Sequence, residues 1–288
     1  MAPQLIFGTV TFGMEMTDFQ APDSVKPLLQ ALTKLGIDRL DTAARYPPLN
    51  PGRSEQLIGE SELPAGFIVD TKVYTDTRGD GSGDLTPEAI DKSVNASLER
   101  LGNATHWGVS NFSPELLEKV LGVCEQNGWQ KPTTYQGTYN MATRGMETKL
   151  LPILRTHGMQ FVGYQSLAAG FLTGKLVKNE HEGTRADDKH PLGKAIQRIF
   201  GDQNLQASMQ RFMDAAEAES LTPNDVAVRW VVHHSALDDK DALILGASKI
   251  SQIQESVGSI RKGPLPAHLV KAADEMWESV KQARGNML

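Results

Sequence analysis

One cysteine in 288 residues, Cys124, excludes an internal disulfide. It follows Leu121-Gly122-Val123 in a helical pattern and reads as a packed thiol rather than a reactive one. No apolar run approaches the ~18 residues of a membrane span, and Met1-Ala2-Pro3-Gln4-Leu5 shows no charged stretch leading into a long apolar one. A cytoplasmic protein with no membrane partner is therefore expected. Basic clusters are lacking as well: 29 Lys and Arg against 35 Asp and Glu leave a net charge of −6, which argues against a nucleic-acid partner. There is no low-complexity tract and no repeat beyond the alternation described next.

What is present is ordinary globular composition, 40% hydrophobic and 22% charged. The length fits one α/β barrel domain over residues 1–288 better than two separate domains. Apolar strand-like runs alternate with amphipathic segments, the pattern of parallel α/β architecture. The expected strands are Leu5–Val10, Arg39–Thr42, Phe67–Lys72, Thr105–Ser110, Thr133–Gly137, Gln160–Tyr164 and Leu243–Gly246. The expected helices are Ser24–Leu35, Ser54–Gly59, Pro87–Leu101, Pro114–Gln126, Gly145–His157, Leu205–Glu219, Pro223–His233, Ser251–Ile260 and Ala267–Ala283. Thr86-Pro87, Ser113-Pro114 and Thr222-Pro223 each set a hydroxyl at the N-cap and proline in the first turn. Seven strands is one short of a closed eight-stranded barrel. Two long polar stretches, Thr75–Asp84 and Asn179–Gly193, read as solvated loops. The second is also a candidate lid, because long loops at the carboxyl ends of barrel strands often cover a site.

Those carboxyl ends share one face of a parallel barrel. Strand two ends in Asp41-Thr42-Ala43-Ala44-Arg45-Tyr46 and strand three in Asp70-Thr71-Lys72, so Asp41, Tyr46 and Lys72 are expected to converge. A phenol has a reference pKa near ~10, and an ammonium beside it favours the phenolate. With Asp41 holding the lysine, Tyr46 would be fit to protonate a carbonyl oxygen at neutral pH.

The residues Asp41-Thr42-Ala43, Tyr46, Ser54-Glu55, Gly59, Lys72, Gly108-Val109-Ser110-Asn111-Phe112, Tyr135-Gln136-Gly137, Ser166-Leu167-Ala168, Leu172-Thr173-Gly174-Lys175 and Ile244-Leu245-Gly246 together resemble the aldo-keto reductase superfamily. Asn127-Gly128-Trp129, Pro132 through Gly137, Tyr139-Asn140 and Val232-His233-His234-Ser235 are similar to its aflatoxin-aldehyde reductase group. The resemblance runs from about Leu5 to the last helix. It implies a (β/α)8 TIM-type barrel that binds NADPH and reduces an aldehyde or ketone, with Tyr46 as acid, Lys72 tuning it and Asp41 holding Lys72. For NADPH/NADP it implies that Ser110, Asn111 and Gln136 meet the nicotinamide carboxamide and that Tyr164 stacks on the ring. Gln165, Ser166, Leu167, Ala168, Gly170, Leu172, Gly174 and Lys175 would wrap the pyrophosphate, and Ser248, Lys249, Gln252 and Glu255 would meet the adenosine phosphate. Lys249 beside Ser248 favours a 2′-phosphate. Ser256 departs from the asparagine usual near the adenine. No metal is implied.

The same resemblance exposes a gap. The family's fourth strand, which ends in a catalytic histidine, and its fourth helix should fall between Leu101 and Thr105, where only Gly102-Asn103-Ala104 stands. A barrel lacking strand 4 and helix 4 is expected, with unpaired strand edges on either side of the junction. At ~3.3 Å per residue His106 would lie about 13 Å below the strand end, too far to be expected to replace that histidine. His233 and His234 are expected to meet a helix C-terminus. His157 closes a helix, His268 opens one, and His181 and His190 lie in the long loop. Arg144, just past a barrel strand, is a candidate for an anionic substrate. Two functions follow: an NADPH-dependent carbonyl reductase acting on a small substrate, or an impaired NADP-binding barrel acting as a sensor or partner subunit. A homo-oligomer is left open.

Overall fold

The structure, a computed structural model, describes residues 2–15, 17–74, 86–101, 108–189 and 192–285. The loop 75–84, the junction 102–105, His106, Trp107 and His190 lie outside the described residues. The chain divides into two compact units, one of Leu5–Thr105 with Ile244–Val257, the other of Met1–Gln4, His106–Leu243 and Gly258–Leu288.

The first unit carries β1 (Gln4–Gly8, all but its first residue), α1 (Pro22–Leu35), β2 (Arg39–Asp41), α2 (Arg53–Glu60), β3 (Ile68–Asp70) and α3 (Pro87–Leu101). The strands run parallel in the order β3-β2-β1, with Gly8 paired to Asp41 and Asp41 to Asp70. Alternating strands and helices are what parallel pairing demands, since each crossover needs a covering element. Helix α1 buries Val25, Leu28, Leu29 and Leu32, spaced as one helical face. It stops at Gly36, whose φ of 75° suits glycine and whose N–H is taken by the carbonyls of Leu32 and Thr33. Phe7, Phe12 and Phe19 form an aromatic cluster with ring centroids 5.4–6.3 Å apart.

The second unit carries β4 (Gly108–Ser110), α4 (Pro114–Gln126), β5 (Thr134–Thr138), α5 (Met146–Lys149), α6 (Leu151–Thr156), β6 (Gln160–Tyr164), α7 (Gly193–Phe200), α8 (Gln203–Ala218) and α9 (Pro223–His233). It also holds the first two residues of β7 (Ala242–Gly246), the end of α10 (Ile250–Ile260) and α11 (Ala267–Arg284). Its strands are parallel in the order β4-β5-β6-β7. Tyr135, Tyr139, Phe161 and Trp230 are fully buried and pack ring against ring. The expected caps are made: Ser113 Oγ accepts from Leu116 N, and Thr222 with Asp225 closes a capping box.

Among the described residues seven strands are found at the expected places, with ends within three residues, the expected start of the fourth at Thr105 lying outside them. Among the described residues β3 pairs with β2 alone and β4 with β5 alone, the edges that loss of one β/α unit leaves. Two helical expectations change. Gly145–His157 is not one helix but α5 and α6, parted at Leu150 with Pro152 in the first turn of α6, where a missing N–H costs nothing. Helix α7 was not expected. Its signal is one pair, Ile196 and Phe200, buried at i and i+4, too short to stand out from the polar stretch before it.

Candidate active site

In the first unit, parallel pairing continues past the ends of β2 and β3. Thr42 N donates to Asp70 O at 2.8 Å and Ala44 N to Lys72 O at 3.2 Å. The backbone ladder thus brings Lys72 beside the end of β2. Its ammonium donates to Asp41 Oδ1 at 2.6 Å and to the Thr42 carbonyl at 2.7 Å. The same nitrogen lies 5.1 Å from the centroid of the Tyr46 ring, within cation–π range. Asp41 is 4% exposed at its side chain and Lys72 25%. Burial works against the Lys72 charge, but Asp41 and then Tyr46 outweigh it and hold its pKa above the ordinary lysine value. The turn carrying Tyr46 is fixed from behind, since Ser54 N donates to the Tyr46 carbonyl at 3.1 Å.

Ser54 and Glu55 in the first turn of α2 are both completely buried. Ser54 Oγ lies 2.8 Å from Thr9 Oγ1 and 3.0 Å from Thr42 Oγ1. Glu55 accepts from Thr71 Oγ1 at 2.5 Å and from Arg100 Nε at 2.7 Å. The sequence carries Ser54 and Glu55 only in the resemblance and at the start of a helix, and Thr71 only as part of a strand. The available signal was two polar residues at positions where α2 must face the sheet.

Also in the first unit, Gln252 Oε1 accepts from Ser248 N at 2.8 Å, Ser248 Oγ at 3.2 Å and Lys249 N at 3.3 Å. An amide oxygen thus stands at the start of α10, where helix N–H groups and the dipole favour negative charge. Lys249 and Glu255 are exposed, and Ser256 Oγ donates back to the Gln252 carbonyl.

In the second unit, Ser110 pairs with Gln136 across β4 and β5, and Thr138 with Tyr164 across β5 and β6. Asn111, at φ 58°, donates its N–H to the Gln136 carbonyl at 3.2 Å, and its Oδ1 accepts from Tyr164 Oη at 2.7 Å. The carboxyl ends of three neighbouring strands therefore present Ser110, Asn111, Gln136 and Tyr164 together. After β6 the backbone turns left-handed at Gln165, Ala168, Ala169, Gly170 and Gly174. Gly170 has φ 99° and open space where a side chain would stand, whereas a Cβ on Gly174 would collide with Met213 Sδ. Ser166 and Leu172 are buried, Leu167 is half-buried and Lys175 is exposed. The N–H groups of Ala168, Gly170, Leu172 and Gly174 donate to carbonyls within the loop and hold this left-handed path, and the small residues leave room for the close approach of a ligand such as the pyrophosphate of a dinucleotide.

Several sequence candidates have other duties. Arg144 is paired with Glu147 at 2.9 Å and Asp274 at 2.7 Å, over the Trp230 ring at 4.9 Å, and is committed to packing rather than to an anionic substrate. Burial first, then neighbouring positive groups, lowers the His234 pKa, and its Nε2 accepts from Leu265 N at 2.7 Å. It thus caps a following backbone N–H instead of meeting helix carbonyls as a cation. His233 Nε2 lies 2.8 Å from the Ile260 carbonyl, and His268 pairs with Glu219. Among the described residues there is no His, Cys, Asp and Glu cluster able to hold a metal, and no helix long and apolar enough to cross a membrane.

Comparison with known proteins bears on the family and the fold. Residues 4–105 and 101–278 match the Aldo/keto reductase family as two separate stretches, so a continuous match breaks at the junction where the sequence lacks a β/α unit. The oxidoreductase sirO of Leptosphaeria maculans is 30% identical over 317 residues, covering 98% of this chain and 95% of its own. Human aflatoxin B1 aldehyde reductase member 2 is 30% identical over 330 residues, covering 96% and 86%. Both alignments are longer than the 288 residues of the chain, so these relatives hold positions with no counterpart here. Among solved structures, a glycerol dehydrogenase from Gluconobacter oxydans superposes with a TM-score of 0.69 at 24% identity, covering 98% of this chain and 92% of that one, a likeness of fold. The chain belongs to the aldo/keto reductase family, near its aflatoxin-aldehyde reductase group, with the (β/α)8 fold short of one unit.

Proposed function

We propose that the chain is an NADPH-dependent carbonyl reductase, converting a small aldehyde or ketone to an alcohol in the cytoplasm. The observation that carries this reading is the Lys72 ammonium, held by Asp41 Oδ1 and the Thr42 carbonyl beside the Tyr46 ring. An ammonium there stabilises tyrosinate relative to tyrosine, so the Tyr46 hydroxyl gives up its proton more readily. Tyr46 Oη donates that proton to the substrate oxygen as the carbonyl is reduced, and Lys72 steadies the tyrosinate left behind. Asp41 keeps Lys72 charged and in place.

Ser110, Asn111 and Gln136 would hold the nicotinamide carboxamide, with Tyr164 against the ring. Residues 165–175 would wrap the pyrophosphate, and Ser248, Lys249, Gln252 and Glu255 would meet the adenosine phosphate. NADPH, when bound, supplies the hydride. The loop's left-handed run and the exposed Lys249 support that assignment. Lack of the family histidine removes one donor to the developing oxyanion, a loss of ~10²–10³ in rate, so slow turnover is expected.

The test is NADPH oxidation with a small aromatic aldehyde by the parent chain, Tyr46→Phe and Lys72→Met. The parent should exceed both variants by ~10²-fold or more, since each removes a part of the proton-donating pair. Equal background rates in all three would end the reductase reading.

A further inference from the structure

The first turn of α2 is anomalous. Ser54 and Glu55 have no exposed surface at all, yet both are polar and one is charged. A buried carboxylate is retained only where its partners compensate the lost hydration. Those of Glu55 come from two elements: Arg100 at the end of α3, through Nε at 2.7 Å and Nη2 at 2.6 Å, and Thr71, whose hydroxyl donates at 2.5 Å. Thr71 is the residue before Lys72. Ser54 reaches the other side of the same cluster: its N–H holds the Tyr46 carbonyl and its hydroxyl meets Thr42, whose own carbonyl accepts from Lys72.

We infer that the Ser54-Glu55 turn is a positioning clamp for the proton donor. Glu55 fixes the Lys72 backbone through Thr71 while Ser54 fixes the turn bearing Tyr46, so that ammonium and phenol are held by one rigid helical start. The physical need is clear. Lys72 has four rotatable side-chain bonds, and its effect on the phenol depends on separation, so a backbone free to shift would blur the contact. Arg100 neutralises Glu55, which lets the carboxylate act as a hydrogen-bond acceptor without a competing claim on the Lys72 charge. The charged groups facing Lys72 are Asp41, the Tyr46 hydroxyl when ionised, and Asp70, itself paired with Arg39 at 2.6 Å. Arg100 meets Glu55 and Ser97.

This inference rests on the proposed reductase reading, and its test separates the two. Thr71→Val removes the hydroxyl but leaves the Glu55–Arg100 pair, so the fold is retained. Thr71→Ser restores the hydroxyl. Tyr46 ionisation is followed in the chain without cofactor, by tyrosinate absorbance against a Tyr46→Phe background, together with kcat and KM. In Thr71→Val the Tyr46 midpoint should move to higher pH and kcat at neutral pH fall ~10-fold, with KM for the aldehyde changed less than twofold, because only proton donation is loosened. Thr71→Ser should recover both. An unmoved Tyr46 midpoint in Thr71→Val overturns the clamp, as does a loss that Thr71→Ser fails to rescue. If no variant or parent turns over, the reductase reading fails, while the absorbance titration still decides the clamp.

Discussion

Lys72 Nζ lies 2.6 Å from Asp41 Oδ1, across the paired ends of two strands whose registers are set by backbone hydrogen bonds. Because its pKa is raised above the ~10.4 of an unfolded chain, the ammonium's contribution to stability is fully present below that pH. That contribution is lost as pH rises through the folded value. Breaking a fully buried pair costs ~3–5 kcal/mol, and the quarter exposure of Lys72 brings the expected loss in Asp41→Asn to about 2 kcal/mol at pH 8. Urea denaturation should show the gap between parent and variant narrowing once the ammonium titrates. A parent no more stable than Asp41→Asn at pH 8 would contradict the pairing.

Gly59 packs α2 against α3 so closely that a Cβ would strike the Arg100 carbonyl oxygen. Gly59→Ala should therefore cost ~1–3 kcal/mol by forcing the helices apart. Gly122→Ala in α4, where a Cβ meets nothing within 4 Å, should instead gain ~0.5–1 kcal/mol from helix propensity. Denaturant midpoints of the two variants should move in opposite directions.

Asp241 is fully buried and takes both arms of Arg155, at 2.8 and 2.6 Å, besides the N–H groups of Phe161 and Asp238. Its hydrogen bonds are the first cause of the raised Arg155 pKa, followed by burial acting the other way. Asp241→Ala leaves two buried backbone donors and a guanidinium, itself 32% exposed, without their acceptor and should cost about 2–3 kcal/mol. Glu182→Ala, which breaks an ion pair more than 80% exposed at both side chains, should leave the melting temperature where it is. A small effect at Asp241 would refute the ranking.

Lys249→Ala tests the cofactor choice that the proposal makes. KM for NADPH should rise ~10-fold or more, the value of one charge-assisted contact to phosphate, while KM for NADH stays put. Parallel changes with both cofactors would show that Lys249 does not distinguish them.

Much of the strand framework was legible because parallel strands are short apolar runs bounded by clear helix signals, as at Ser113-Pro114 and Thr222-Pro223. The Asp41–Lys72 contact was legible for the same reason: both residues sit at strand ends, and parallel order brings such ends together. What Arg144 does was not legible because its position after β5 is visible in sequence, whereas Asp274 and the Trp230 ring that occupy it come from distant elements. His234 was misread because helix-end position suggests a cation, and only the fold supplies the Leu265 N–H that makes it an acceptor.

Read alone, the order of residues carried the resemblance to the family, the alternation of strand and helix and, through that resemblance, the gap of one β/α unit between Leu101 and Thr105. Each of these is written in local pattern or in spacing along the chain. Tertiary structure decided which polar groups are spent on one another. Glu55 with Thr71 and Arg100, Ser54 with Thr9 and Thr42, and Arg155 with Asp241 are separated by 12 to 86 residues in sequence. Hydrogen bonds of that kind depend on separations of a few tenths of an ångström, which only the packed chain sets.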